Sequence, residues 1–356
     1  MITIIAFLSL ITLLAIHEFG HFFVAKKFGV RVEEFGIGYP PRLFKKEYRG
    51  TIYSLNLLPF GAFVRFPDEN GKDDQVKYSH QPVGKRFWIA MAGVISFWIL
   101  AIVLLTLVLT IGTRVNIEDN DITNLINPRV TIIGVQPKSP AAISGMMPGD
   151  NIISMAVSGN PLKIEKVKDV QGFVSENLKS EIRLVLERGD ETLEVSLKPR
   201  ENPQNGEGAM GIILSKTTIK KVPFYRAPIE AILNTGRLTM AIINGYYNAI
   251  INLFRGVPTG VEPMGPIGII GLASQAGKLG VSYFIQFIAM ICLYLAVFNL
   301  LPIPVTDGGR VVFLLIEKIR GRAINQKIEE KIEGAFFVVL LILMAFVTIK
   351  DVVKLF

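Results

Sequence analysis

An uncharged apolar run from Ile2 to Ile16 leads without a break into His17-Glu18-Phe19-Gly20-His21, and this junction restricts the chain more than any other feature. Extended through Val24, the run is long enough to cross a bilayer as a helix, so the charged motif must be accommodated at membrane depth. Histidines four apart lie on one helix face and can ligate one metal, and the glutamate between them can take a proton from a metal-bound water. The same spacing also occurs in helices that pack a polar cluster. Within hydrocarbon an ionisable side chain at a helix centre costs roughly 2.5–3.5 kcal/mol, and three together need compensation that a metal provides. The remaining histidine, His80, falls in the polar stretch Gly71 to Gln81 and reads as a solvated loop residue.

The rest of the chain agrees with a membrane setting. Of 356 residues, 50% are hydrophobic, and the mean hydropathy of +0.44 is too high for a soluble chain of this length. Four runs carry the excess, at about 1–24, 87–112, 283–306 and 334–352, and each is expected to span the bilayer. The first lacks the basic flank and cleavage site of a signal peptide and is read as a retained span. Cys292 is the one cysteine, so no internal disulfide can form. The net charge of +8 is concentrated between Lys26 and Arg86 and between Arg310 and Lys331. Basic loops collect on the cytoplasmic side, which places both termini and the long middle segment outside. Charge that flanks spans in this way argues against a nucleic-acid partner.

From about 113 to 218 the pattern changes to short β-type runs separated by turns, enough for one folded domain. Within it, Ser139-Pro140-Ala141-Ala142 followed by Gly145-Met146-Met147-Pro148-Gly149-Asp150-Asn151-Ile152-Ile153 resembles a bacterial PDZ domain. The resemblance implies peptide binding by strand addition, with a passive size filter as the alternative. Residues 219–282 read as amphipathic helices on the extracytoplasmic side. The uncharged stretch Leu238 to Phe254 is rejected as a fifth span, because a further crossing would put the next motif on the wrong side of the membrane.

That motif is Asn299-Leu300-Leu301-Pro302-Ile303-Pro304-Val305-Thr306-Asp307-Gly308-Gly309-Arg310. Two prolines break the helix where the third run ends, and Asp307 sits at the break. A catalytic zinc takes three protein ligands, and a carboxylate commonly completes two histidines. His17 lies about 24 Å down the first helix from an outside terminus, near the inner side, and the inward third run brings Asp307 to the same depth. An aspartate that only opens a cytoplasmic turn is the alternative.

Taken together, these segments resemble the site-2 protease family of intramembrane zinc metalloproteases, in its bacterial branch, over almost the whole chain. Phe35-Gly36-Ile37-Gly38-Tyr39-Pro40-Pro41-Arg42-Leu43, Leu57-Leu58-Pro59-Phe60-Gly61-Ala62-Phe63-Val64 and Gly265-Pro266-Ile267-Gly268 are also similar to family segments. The resemblance implies Zn²⁺ bound by His17, His21 and Asp307, Glu18 as catalytic base, and Asn299, Pro302, Pro304, Gly61 and Phe63 positioning substrate. It further implies a polytopic α-helical membrane protein of the bacterial inner membrane. That protein would have about four transmembrane helices, a membrane-associated β-hairpin at about 51–66 on the cytoplasmic side, and an inserted extracytoplasmic PDZ domain of α+β type. The implied core runs over 1–112 and 283–356, and the implied substrates are single-pass membrane proteins, such as anti-sigma-factor-like regulators or remnant signal peptides.

Two departures stand out. The second run has Gly93-Val94-Ile95-Ser96 where the family commonly carries Gly-Pro-x-x-Asn, and Thr306 stands where leucine usually precedes Asp-Gly. A membrane adaptor with a structural zinc is the alternative from another class, but neither a ligand nor the base is missing. A zinc transporter would need ionisable groups in the second and fourth runs, which offer almost none.

Overall fold

The computed structural model describes residues 1–67, 78, 80–120, 125–157, 159–203, 208–257, 264–322 and 324–353, so most of the Gly71 to Gln81 stretch lies outside the described residues. In chain order the elements are α1 (Ile2–Lys27), β1 (Glu34–Tyr48), β2 (Thr51–Arg65), α2 (Val83–Ile111), β3 (Thr113–Ile117), β4 (Arg129–Val135), α3 (Pro140–Ile143), β5 (Asn151–Val157), β6 (Asn160–Lys163), α4 (Val167–Glu176), β7 (Ile182–Arg188), β8 (Glu191–Leu197) and β9 (Ile212–Lys220). They continue with α5 (Ala227–Phe254), α6 (Pro266–Lys278), α7 (Val281–Leu300), α8 (Asp307–Arg320) and α9 (Gln326–Val353). Two compact units result. One holds Met1–Leu105, Pro228–Ala273 and Phe287–Phe356, the other Thr106–Ala227 and Ser274–Gln286.

Four helices among the described residues are long and apolar enough to cross a membrane: Ile2–Lys27, Val83–Ile111, Val281–Leu300 and Lys327–Asp351. The chain is a multi-pass membrane protein. α5 is not among these four, although it is one continuous helix of 28 residues. It buries Ala231, Thr235, Thr239 and Ile242 and exposes Ile229, Leu233, Met240 and Phe254. The third crossing helix stops at Leu300 rather than at Thr306. Pro302 and Pro304 have no N–H to continue the ladder, although the sequence stays apolar to Val305. The fourth helix begins before residue 334, because the charged stretch from Gln326 onward remains helical.

In the first unit α1 and α2 approach closely. A methyl group on Gly20 would lie 2.5 Å from the Ala92 carbonyl oxygen and 3.1 Å from Ser96 Cβ, so only glycine permits this crossing. Below the crossing, Phe22, Ala25 and Ile89 bury themselves with Val30 and Val32, and Phe35, Tyr53 and Val64 pack against them. This cluster seats the β1–β2 sheet on the two helices.

The sheet differs from the expected hairpin. Residues 51–66 do not close on one another; the chain reverses at Arg49-Gly50, and β1 and β2 pair antiparallel. Glu34 is matched with both Ile52 and Arg65, and Ile37 with both Leu55 and Ala62, so the start of β1 lies between the two halves of β2. The bonds from Glu33 N to Arg65 O (2.9 Å) and from Ile52 N to Glu33 O (2.8 Å) flank it on either side. Glu34 is buried there. Arg42 donates to it through Nε (3.1 Å) and Nη2 (2.6 Å), Ser54 Oγ donates at 2.6 Å, and Arg65 Nη1 lies 3.3 Å away. Burial pushes its carboxyl up, but the hydrogen bonds from Ser54 and Arg42 and the charges of Arg42 and Arg65 prevail and hold it below the usual carboxylate range.

The second unit is an antiparallel sheet in the order β3-β9-β4-β5-β7-β8, with β6 on β5. Val130, Ile132, Ile152, Met155, Leu184 and Leu186 form its core, and α4 covers it with Val170 and Val174. The Met146-to-Asp150 turn is locked: Asp150 accepts from the Met147 amide at 2.9 Å and from Arg188 Nε and Nη2, both at 2.7 Å. β3 pairs with β9 only over Lys216–Lys220, so among the described residues Ile212 to Ser215 keep one open edge. That edge and α4 bound a cavity of about 510 Å³ lined by Val170, Val174, Met210 and Leu214.

Candidate metal centre

The first unit gathers His17, His21 and Asp307 from two elements far apart in sequence. His17 Nε2 and His21 Nε2 are 3.3 Å apart. His17 Nε2 is 3.4 Å from Asp307 Oδ2, and His21 Nε2 is 3.4 Å from Asp307 Oδ1. All three residues are buried. Asp307 Oδ2 has no hydrogen-bond donor among the described residues, an arrangement that a bound cation would relieve.

Each group is oriented by its surroundings. His21 Nδ1 lies 2.8 Å from the Ile89 carbonyl oxygen; since the carbonyl can only accept, Nδ1 carries the proton and Nε2 faces His17 and Asp307 as a bare lone pair. The His17 ring stacks on Phe97, with centroids 4.7 Å apart. Gly93 supplies the space: a methyl group there would press on the Nε2 side of His21 and lie 2.5 Å from His17 Cε1. The departure from the family pattern at Val94 leaves this glycine in place, and Ser96 donates to the Gly93 carbonyl at 2.6 Å.

Asp307 is the first residue of α8, held by the turn before it. Thr306 Oγ1 is 2.8 Å from the Leu301 carbonyl and 2.9 Å from that of Ile303, where the proline break leaves acceptors without helix partners, and it accepts from the Gly309 amide at 3.4 Å. Threonine in place of leucine is thus the N-cap of α8. Gly308 and Gly309 pack against the carbonyls of Leu300, Leu301 and Ile303, where a side chain has no room.

The centre opens into a cavity of about 560 Å³ lined by Glu18, Tyr39, Phe63, Val64, Asn299 and Arg310 among others. Glu18 follows His17 directly and lines the cavity together with Val64. Asn299, which lines the cavity, donates from Nδ2 to the Leu295 carbonyl at 2.9 Å. Of the other residues expected to position substrate, Phe63 lines the cavity, whereas Pro302, Pro304 and Gly61 do not. The prolines shape the turn before Asp307, and Gly61 has φ of +104° beside the Tyr39 ring. Sequence reasoning missed Gly93, Tyr39 and Arg310 as residues of the site, and only the Gly-rich and Asp-Gly-Gly-Arg segments hinted at two of them.

The model of peptidase family M50 matches residues 5–343. The chain belongs to this family. Relatives of the M50 chain span nearly its full length. A Clostridium perfringens protein that carries the name of a zinc metalloprotease is 30% identical, over 99% of both chains. One of the same designation from Clostridium acetobutylicum is 31% identical over 98% of this chain and 97% of its own. A chloroplastic membrane metalloprotease of Arabidopsis thaliana is 30% identical over 97% of this chain and 77% of its own.

Proposed function

We propose that this M50 chain is a zinc-dependent intramembrane endopeptidase in which His17, His21 and Asp307 hold the metal and Glu18 is the general base. The observation that carries the reading is the spacing of the three ligand groups. A zinc bound tetrahedrally at about 2.0–2.1 Å requires ligand atoms about 3.3–3.4 Å apart, which is the separation of the two Nε2 atoms and of each from one carboxylate oxygen of Asp307, Oδ2 for His17 and Oδ1 for His21. When bound, the metal supplies Lewis acidity and lowers the pKa of a coordinated water. The protein's own residues do the rest. Glu18 takes the water's proton and returns it to the leaving amine, and the buried setting of the ligands keeps bulk solvent from the reaction.

The substrate would be a single-pass membrane protein, such as an anti-sigma-factor-like regulator or a remnant signal peptide, unwound locally so that its carbonyls are free of helix bonds. Strand pairing with the β1–β2 sheet, which brings Phe63 and Val64 to the cavity, offers a way to hold it extended. The second unit would be a PDZ domain on the extracytoplasmic side, over about 113–218, with the open Ile212 to Ser215 edge and α4 as its peptide groove. Both termini would then lie outside a bacterial cytoplasmic membrane.

The test is zinc content beside cleavage of a model transmembrane substrate in detergent, for wild type, Glu18→Gln and Asp307→Ala. One zinc per wild-type chain, cleavage lost in both variants and metal weakened only by Asp307→Ala is the expected result. Metal bound without cleavage across several substrates would favour a membrane adaptor instead.

A further inference from the structure

Arg310 stands in the first turn of α8, three residues beyond Asp307, and lines the same cavity as Glu18. Residues three apart share a helix face, with Cβ atoms about 5–6 Å apart. The guanidinium nevertheless forms no hydrogen bond or ion pair among the described residues, and Glu18, Asp307, Tyr78 and Glu333 act on it only at longer range. The other arginines near the site are occupied. Arg86 pairs with Glu317 and donates to the Gln81 carbonyl, and Arg42 and Arg65 serve Glu34. A cation with five N–H donors that lines the cavity without a bonded partner can donate to an oxygen brought there.

We propose that Arg310 is a further catalytic residue, donating hydrogen bonds to the oxygen of the scissile carbonyl as that oxygen gains charge. This assignment rests on the endopeptidase reading above. In the step, the water oxygen bonds to the carbonyl carbon, the carbonyl π pair moves onto oxygen, and the water's proton passes to Glu18. The oxygen's pair then re-forms the carbonyl while the C–N bond breaks with its electrons on nitrogen, which receives the proton from Glu18. Arg310 acts on the oxygen and Glu18 on the protons. Arg310 on α8 and Glu18 on α1 line the same cavity, so both can reach one peptide bond held in it. Donors placed where charge develops contribute to kcat rather than to ground-state binding.

The experiment measures kcat, KM and zinc content of the full chain in detergent with the same transmembrane substrate, for wild type, Arg310→Lys, Arg310→Gln and Arg310→Ala, with and without added guanidinium chloride. The expected result for Arg310→Ala is a fall in kcat of about 10²–10³-fold with unchanged zinc and KM within about twofold. Arg310→Lys should retain part of the rate, and guanidinium should restore part of it to Arg310→Ala where sodium chloride at equal concentration does not. Full kcat in Arg310→Ala, a loss confined to KM, loss of zinc, or rescue by neither salt would each overturn the assignment while the endopeptidase reading stands. An inactive wild type would overturn both.

Discussion

The carbonyl of Ile89 in α2 accepts the Nδ1 proton of His21 in α1 at 2.8 Å, so the backbone of one membrane helix selects the tautomer of a histidine on another. The bond depends on the closeness of the two helices, and that closeness depends on Gly20 and Gly93. Gly93→Ala would push a methyl group into both imidazoles. Zinc affinity should fall about 10–100-fold, as for the loss of an orienting partner, with the helical circular dichroism signal retained. Competition with a chelator of known affinity measures the change, and wild-type affinity in Gly93→Ala would show that the helices yield at this point.

The grouping of His17, His21 and Asp307 was legible because their chemistry is local. His17 and His21 announce a shared face by their spacing, and Asp307 stands at a proline break that a membrane tolerates only around something polar. What faces them was not legible. Nothing local to Gly93 says that it meets the histidines across the fold. The β1–β2 register was hidden for a related reason: Glu34 to Ile37 insert between two halves of β2, and alternation within 51–66 cannot report a strand that comes from outside it. α8 was obscured by its charges, since Lys318 and Arg320 read as a basic loop although the intervening apolar positions recur with a helical period.

Glu34 should make the β1–β2 sheet sensitive to acid. Its folded pKa is depressed, so its contribution is present above the unfolded value of about 4.3 and is lost as pH falls through the folded value. The melting temperature in detergent should therefore drop between about pH 5 and pH 3. Glu34→Gln should melt lower at pH 6, since Arg42 and Arg65 lose their partner, and should show a shallower acid limb. Parallel limbs in the two proteins would mean that other carboxylates govern the acid response.

Thr306 is predicted to matter through its hydroxyl. Thr306→Val keeps the shape but removes the cap of α8 and the donor to the Leu301 and Ile303 carbonyls, a loss of about 1 kcal/mol in stability. Thr306→Ser restores both. Because Asp307 is the next residue, zinc affinity should follow the same order, with serine near wild type and valine weaker. Equal zinc affinity in all three would separate the cap from the ligand.

Asp351, near the end of α9, accepts from the amides of Gly265 at 2.8 Å and Gly268 at 2.9 Å and so caps the N-terminus of α6 from 86 residues away in sequence. A carboxylate at this end of a helix satisfies orphan donors and opposes the dipole. Both glycines are needed for the approach, because a methyl group on either would lie within 3 Å of the carboxylate oxygen. Asp351→Ala should lower stability by about 1–2 kcal/mol and raise hydrogen exchange at the first α6 amides ahead of those in α2. Gly268→Ala should do the same by pushing the carboxylate away, and the double variant should be little worse than either single one, since both remove one interaction. Additive losses would show that Gly268 and Asp351 act through separate contacts.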